Sequence, residues 1–147
     1  MRRYLLVAAL ALVALTAAAA DRDPTQLIGM DIRTALQTLG APQQMFTVRG
    51  VDESEDNVVF FYPDFTYLFW YKDRVWQVRY DRRSAATVFG ITLGMTRDQV
   101  QRANPTPMTS AGDSLYFDLQ SAPFPLRVRL VFAAAVLSDL YLYRSDF

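Results

Sequence analysis

The chain has 147 residues, equal numbers of basic and acidic side chains, no histidine and no cysteine. A Ser-His-Asp or Cys-His catalytic arrangement is therefore impossible, disulfides cannot brace the fold, and zinc would have to be held by carboxylates alone. The balanced, unclustered charge argues against nucleic acid, whose binding needs a concentrated basic field.

The first twenty residues read as a secretory signal peptide. Arg2 and Arg3 give a short basic start, Tyr4 to Leu15 an apolar stretch too short for a membrane span, and Ala18 to Ala20 the small residues a signal peptidase needs. With no cysteine after the apolar stretch, lipidation is excluded. The expectation is a periplasmic or secreted protein with no transmembrane segment after cleavage. Loss of Arg2 and Arg3 turns the formal charge to −2. Residues 21–147 are the size of one domain, long enough to bury a core without staples.

That remainder shows internal similarity. Ile28-Gly29-Met30 opens one stretch and Leu93-Gly94-Met95 another, with Ala35 on Val100 and Pro42 on Pro107 in the same register. In the first, Asp31 is placed to cap a helix. Ile32, Ala35, Leu36 and Leu39 form one apolar stripe, and Gly40 and Pro42 end it. In the second, Thr96 and Gln99 form a capping box, and Pro105 pushes Asn104 out of helix.

Three strands are expected after each helix, because Val, Phe, Tyr and Trp crowd the runs and turn residues separate them. The first set is 57–62, 66–71 and 74–80; the second is 115–119, 126–132 and 136–143. The residues between Met45 and Asp56 read as a loop, and Gly50 to Asp56 as a solvated acidic turn. Its carboxylates lack the alternating spacing of a calcium loop. Leu126, Val128, Leu130 and Phe132 share one face against Arg127, Arg129 and Val131, and Leu140 and Leu142 oppose Asp139, Tyr141 and Tyr143. Trp76, Val78 and Tyr80 are assigned inward, Gln77 and Arg79 outward.

The expected fold is thus α+β: two tandem repeats, about 25–82 and 88–147, each a short helix plus an antiparallel three-strand meander, helices on one face of the sheet. The motif Gly-Met, capped helix, Gly-x-Pro and meander, carried by Gly29, Met30, Leu36, Leu39, Gly40 and Pro42 and by Gly94, Met95, Val100 and Pro107, resembles the SmpA/OmlA (BamE) envelope modules. Two in tandem resemble the β-lactamase-inhibitor-protein (BLIP-like) architecture. The lipidation cysteine of the former and the disulfide cysteines of the latter are missing. The resemblance implies an open sheet face that holds a protein partner.

Tyr, Trp and Arg are the residue types that anchor interfaces. Trp70, Arg79, Arg127, Arg129, Tyr141 and Tyr143 are assigned to that outer face as partner-binding residues. No catalytic residue, metal ligand or cofactor is expected. The functional expectation is a non-enzymatic protein-binding module of the cell envelope. Three alternatives stand beside it: closure of the face by a homodimer, a small-ligand or lipid carrier, and a small hydrolase using Asp, Tyr and Arg.

Overall fold

A computed structural model describes residues 23–50, 56–120 and 123–146. The signal-peptide assignment and most of the acidic turn, including Asp52, Glu53 and Glu55, lie outside the described residues. A short 3₁₀ turn, Pro24–Leu27, precedes helix α1, Ile32–Leu39. Four strands follow: β1 Gln44–Val48, β2 Asn57–Phe61, β3 Thr66–Tyr71 and β4 Arg74–Asp81. A two-strand ribbon, β5 Thr87–Val88 and β6 Ile91–Thr92, leads to helix α2, Arg97–Ala103. Four more strands complete the chain: β7 Thr109–Ala111, β8 Ser114–Leu119, β9 Leu126–Ala133 and β10 Val136–Arg144.

This corrects the expected fold. The described residues are mostly sheet: eight strands form one antiparallel sheet in the order β1-β2-β3-β4-β10-β9-β8-β7, and the two α-helices among them have only 8 and 7 residues. Helix-plus-three-strand units give way to a continuous sheet whose middle is the pairing of β4 with β10. β1, read as loop, and the three-residue β7 supply the two edges. The reason is pairing: each outer hairpin satisfies backbone groups that a three-strand meander would leave at an edge.

The core lies on one side of this sheet. Phe60, Leu68, Val78, Leu142, Val128 and Phe117 stand opposite one another from β2 to β8, all buried. Fully burying such a side chain contributes roughly 1.5–3 kcal/mol. Ala35 of α1 and Val100 of α2 pack into the same cluster, each with no exposed surface. Both helices begin as the sequence implies. Asp31 Oδ1 accepts from the Thr34 N–H at 2.8 Å, and Thr96 and Gln99 bond reciprocally in a capping box. The stripe of α1 is less buried than expected: Ile32 and Leu36 remain 38% and 42% exposed, while Ala35 is fully buried and Leu39 packs partly against the core.

The loops before the helices are tied to hairpin turns. Gly29 donates to the Val75 carbonyl at 2.7 Å, and Gly94 donates to the Leu137 carbonyl at 2.8 Å. Both glycines sit at positive φ, +83° and +89°, where other residues are strained. No helix among the described residues is long and apolar enough to cross a membrane.

Candidate functional site

Opposite the core, the sheet presents a ladder of alternating tyrosine and arginine. Strand pairing sets Tyr116 of β8 beside Arg129 of β9, Arg129 beside Tyr141 of β10, Tyr141 beside Arg79 of β4, and Arg79 beside Tyr67 of β3. These five residues occupy successive strands in a single row. Side chains directly opposite on one face are close enough to interact, and here they stack. The Arg79 guanidinium lies 4.9 Å from the Tyr67 ring centre and 5.6 Å from that of Tyr141. That of Arg129 lies 5.9 Å from Tyr116 and 5.8 Å from Tyr141. Each contact of this kind contributes about 0.5–1 kcal/mol at partly exposed sites. Phe61 continues the row, its ring 4.7 Å from Tyr67.

Acidic side chains on the same face neutralise most of the arginines. Asp139 accepts from Arg79 Nε at 2.9 Å, and Asp118 takes both Arg127 Nε and Nη2, at 2.7 and 3.1 Å. Asp81 is 7% exposed. It accepts from the Tyr67 hydroxyl at 2.8 Å, the Arg83 backbone N–H at 2.9 Å and Arg83 Nη2 at 2.6 Å. Arg129 differs. Its Nε donates to Ser114 Oγ at 3.2 Å, and among the described residues no carboxylate lies within ion-pair reach of it.

Electrostatics hold this face in fixed protonation states. The Arg83 guanidinium, against the opposing effect of burial, holds the Asp81 carboxyl far below the usual carboxylate range. Arg127 does the same, more mildly, for Asp118. Burial pushes the hydroxyls of Tyr67, Tyr141 and Tyr143 up, with Asp81 adding to the effect at Tyr67. Asp81 and Asp118 are therefore ionised, and Tyr67, Tyr141 and Tyr143 neutral, at neutral pH. Among the described residues no three carboxylates gather as a metal site would require. An open hollow of about 500 Å³ lies at one end of the face, beside the Asp118–Arg127 pair and lined also by Gln120, Phe124 and Ser145.

Of the six residues assigned to this face, Arg79, Arg127, Arg129, Tyr141 and Tyr143 stand on it, at least partly exposed. Trp70 does not. It is 3% exposed, belongs to the core and packs on Phe60 with ring centres 5.0 Å apart. Trp76 is also corrected: it is half-buried rather than inward, and its Nε1 donates to Asn57 Oδ1 at 2.6 Å. Trp70 follows the unbroken alternation of β3, in phase with the buried Thr66 and Leu68. At Trp76 a bulge in the β3–β4 pairing sets Trp70 opposite Val75 but Phe69 opposite Gln77, so the register skips one residue of β4. Strand alternation thus changes phase at Trp76. The face is also partly closed: at its β2 end Val59 and Phe61 are buried. Sequence reasoning did not single out Tyr116, Asp81, Asp118 or Asp139 for this site. The signal for Tyr116 and Asp118 was their alternation with the apolar Leu115 and Phe117.

Two solved bacterial proteins share this fold. An extracellular protein containing an SCP domain from Bacillus anthracis superposes with a TM-score of 0.55 at 13% identity, over 99% of this chain and 50% of its own. A cysteine-rich secretory protein from Staphylococcus aureus gives 0.54 at 11% identity, over 85% of this chain and 47% of its own. The chain thus spans about half the length of each. No family model and no curated protein matches the sequence. The structural likeness runs to these proteins and not to the SmpA/OmlA or BLIP-like modules suggested by the Gly-Met motifs. Those motifs specify a tight turn before a capped helix, a local geometry that unrelated folds can share.

Proposed function

We propose that the chain is an exported, non-enzymatic module that docks a protein partner through the outer face of its sheet, with an acidic side chain of the partner seated on Arg129. The observation that carries this reading is the row Tyr116, Arg129, Tyr141, Arg79, Tyr67. Aromatic side chains have few rotatable bonds and supply contact area at low entropic cost, and arginine adds charge and hydrogen-bond donors. Here, stacking has already fixed them. The arginines beside Arg129 carry internal counter-ions, so the unmatched charge at the ladder's β9 step is the one a partner carboxylate would complete. The signal-peptide pattern supports export, as does a fold shared with an extracellular protein and a cysteine-rich secretory protein.

The experiment is cross-linking and capture from the envelope of the producing cells, comparing the wild type with a variant carrying Arg127→Glu, Arg129→Glu and Tyr141→Ala. A partner that the wild type retains and the folded variant loses supports the reading. Retention of the same partner by both would remove the face from consideration.

A further inference from the structure

Exposed apolar side chains are concentrated at one edge of the sheet. Met45, Phe46 and Val48 of β1 and Val58 of β2 are each more than a third exposed, Met45 by 67%. β1 is that edge: it pairs with β2 on one side and, among the described residues, with no strand on the other. All five of its residues are exposed. Its outward N–H and C=O groups form a template for another strand, which proteins ordinarily guard with lysine, proline or a very short edge. The other edge follows that practice, since β7 has only three residues, Thr109, Ser110 and Ala111. Gln44–Val48 has five residues, no charge and no proline.

We propose that β1 is a self-association edge, where a second copy of this chain adds its own β1 antiparallel about a two-fold axis at Phe46. Such an axis sets Phe46 opposite its symmetry mate, Met45 opposite Thr47 and Gln44 opposite Val48. A two-fold contact sets Phe46 against its own copy and Met45 and Thr47 two residues from theirs, so a charge at any of these positions would lie close to its like. The whole of β1 is uncharged, and the first charge beyond it, Arg49, falls opposite Gln43. A foreign strand would impose no such neutrality, and a charged partner would gain nothing from it. Side chains on both faces take part. Phe46 and Val48 share the outer face with Val59 and Asn57, while Met45 stands on the helix side beside Phe60. Addition of the second β1 continues the sheet and covers both rows at once, leaving the tyrosine–arginine ladder free. The proposal is therefore independent of what the ladder binds.

The chain has no cysteine, so single introduced thiols report the register. Phe46→Cys in the exported protein should oxidise to a disulfide-linked dimer, because the axis brings the two thiols together. Gln44→Cys should not, because its mate lies four residues along the strand, roughly 13 Å away. In sedimentation at micromolar concentration the wild type should run as a dimer. Phe46→Lys, folded by circular dichroism, should run as a monomer, since it places two ammonium groups on the axis. A monomeric wild type, a dimer unaffected by Phe46→Lys, or equal oxidation of the two cysteine variants would each overturn the proposal.

Discussion

Asp81→Asn tests the electrostatic frame of the tyrosine–arginine face. The substitution keeps the shape of the side chain and removes its charge. The native carboxylate accepts from the Tyr67 hydroxyl, the Arg83 backbone N–H and the Arg83 guanidinium, while being almost wholly shielded from water. Breaking a fully buried ion pair costs about 3–5 kcal/mol. The Arg83 side chain is 53% exposed, however, and can turn to water, so its share is closer to that of a surface pair, about 0–1 kcal/mol. The hydrogen bonds from Tyr67 and from the backbone to a charged acceptor contribute about 1.5–3 kcal/mol more. The expected loss at neutral pH is therefore about 1.5–4 kcal/mol, or roughly 10 °C in Tm for a domain of this size.

The pH dependence has a definite sign. Asp81 has a depressed pKa in the folded state, so its stabilisation is complete above the ordinary carboxylate value of about 4 and is lost as pH falls below it. Urea denaturation of both proteins from neutral pH downward should show the gap between them closing in acid, where the native residue is also protonated. A neutral-pH difference below about 0.5 kcal/mol, within the range of ordinary surface substitutions, or a gap that stays constant into acid, would refute the reasoning.

Two further outcomes are expected. Gly29→Ala and Gly94→Ala both place a Cβ at positive φ and should each cost about 1 kcal/mol. Gly29→Ala should cost ~1 kcal/mol more, because its Cβ would lie 2.6 Å from the Phe124 ring, whereas nothing stands within 4 Å of the new atom at Gly94. Equal losses in chemical denaturation would refute the role of Phe124. At the alkaline end, Tyr67, Tyr141 and Tyr143 have raised pKa values. Their contribution is complete below the free tyrosine value of about 10 and is lost as pH rises through it toward their own values. Replacing all three with phenylalanine should flatten the decline of stability above about pH 10, and an unchanged slope would count against their burial as its cause.

Local features were legible in the sequence because they depend on neighbours a few residues away. The caps at Asp31 and Thr96 need only a short polar side chain three positions before a free N–H. The alternation of Leu126, Val128 and Leu130 with Arg127 and Arg129 assigned faces correctly because β9 pairs with β8 without interruption. Trp76 shows the limit. Its inward or outward sense depends on whether the β3–β4 pairing slips, and that slip involves two strands at once. β1 was hidden for a related reason. Gln44–Val48 is short and all its residues are exposed, so it lacks the half-buried alternation by which a strand is recognised, and only pairing with β2 makes it one.

The sequence by itself determined the absence of histidine and cysteine chemistry, the starts of the helices and the division of the β9 and β10 side chains into two faces. Each follows from composition or from spacing along one segment. Tertiary structure alone decided that eight strands join in one sheet, that β4 meets β10 at its centre, and that Tyr116, Arg129, Tyr141, Arg79 and Tyr67 fall in one row. Those five residues come from five strands, and their alignment is fixed by hydrogen-bond register between segments far apart in the chain, which no local pattern encodes.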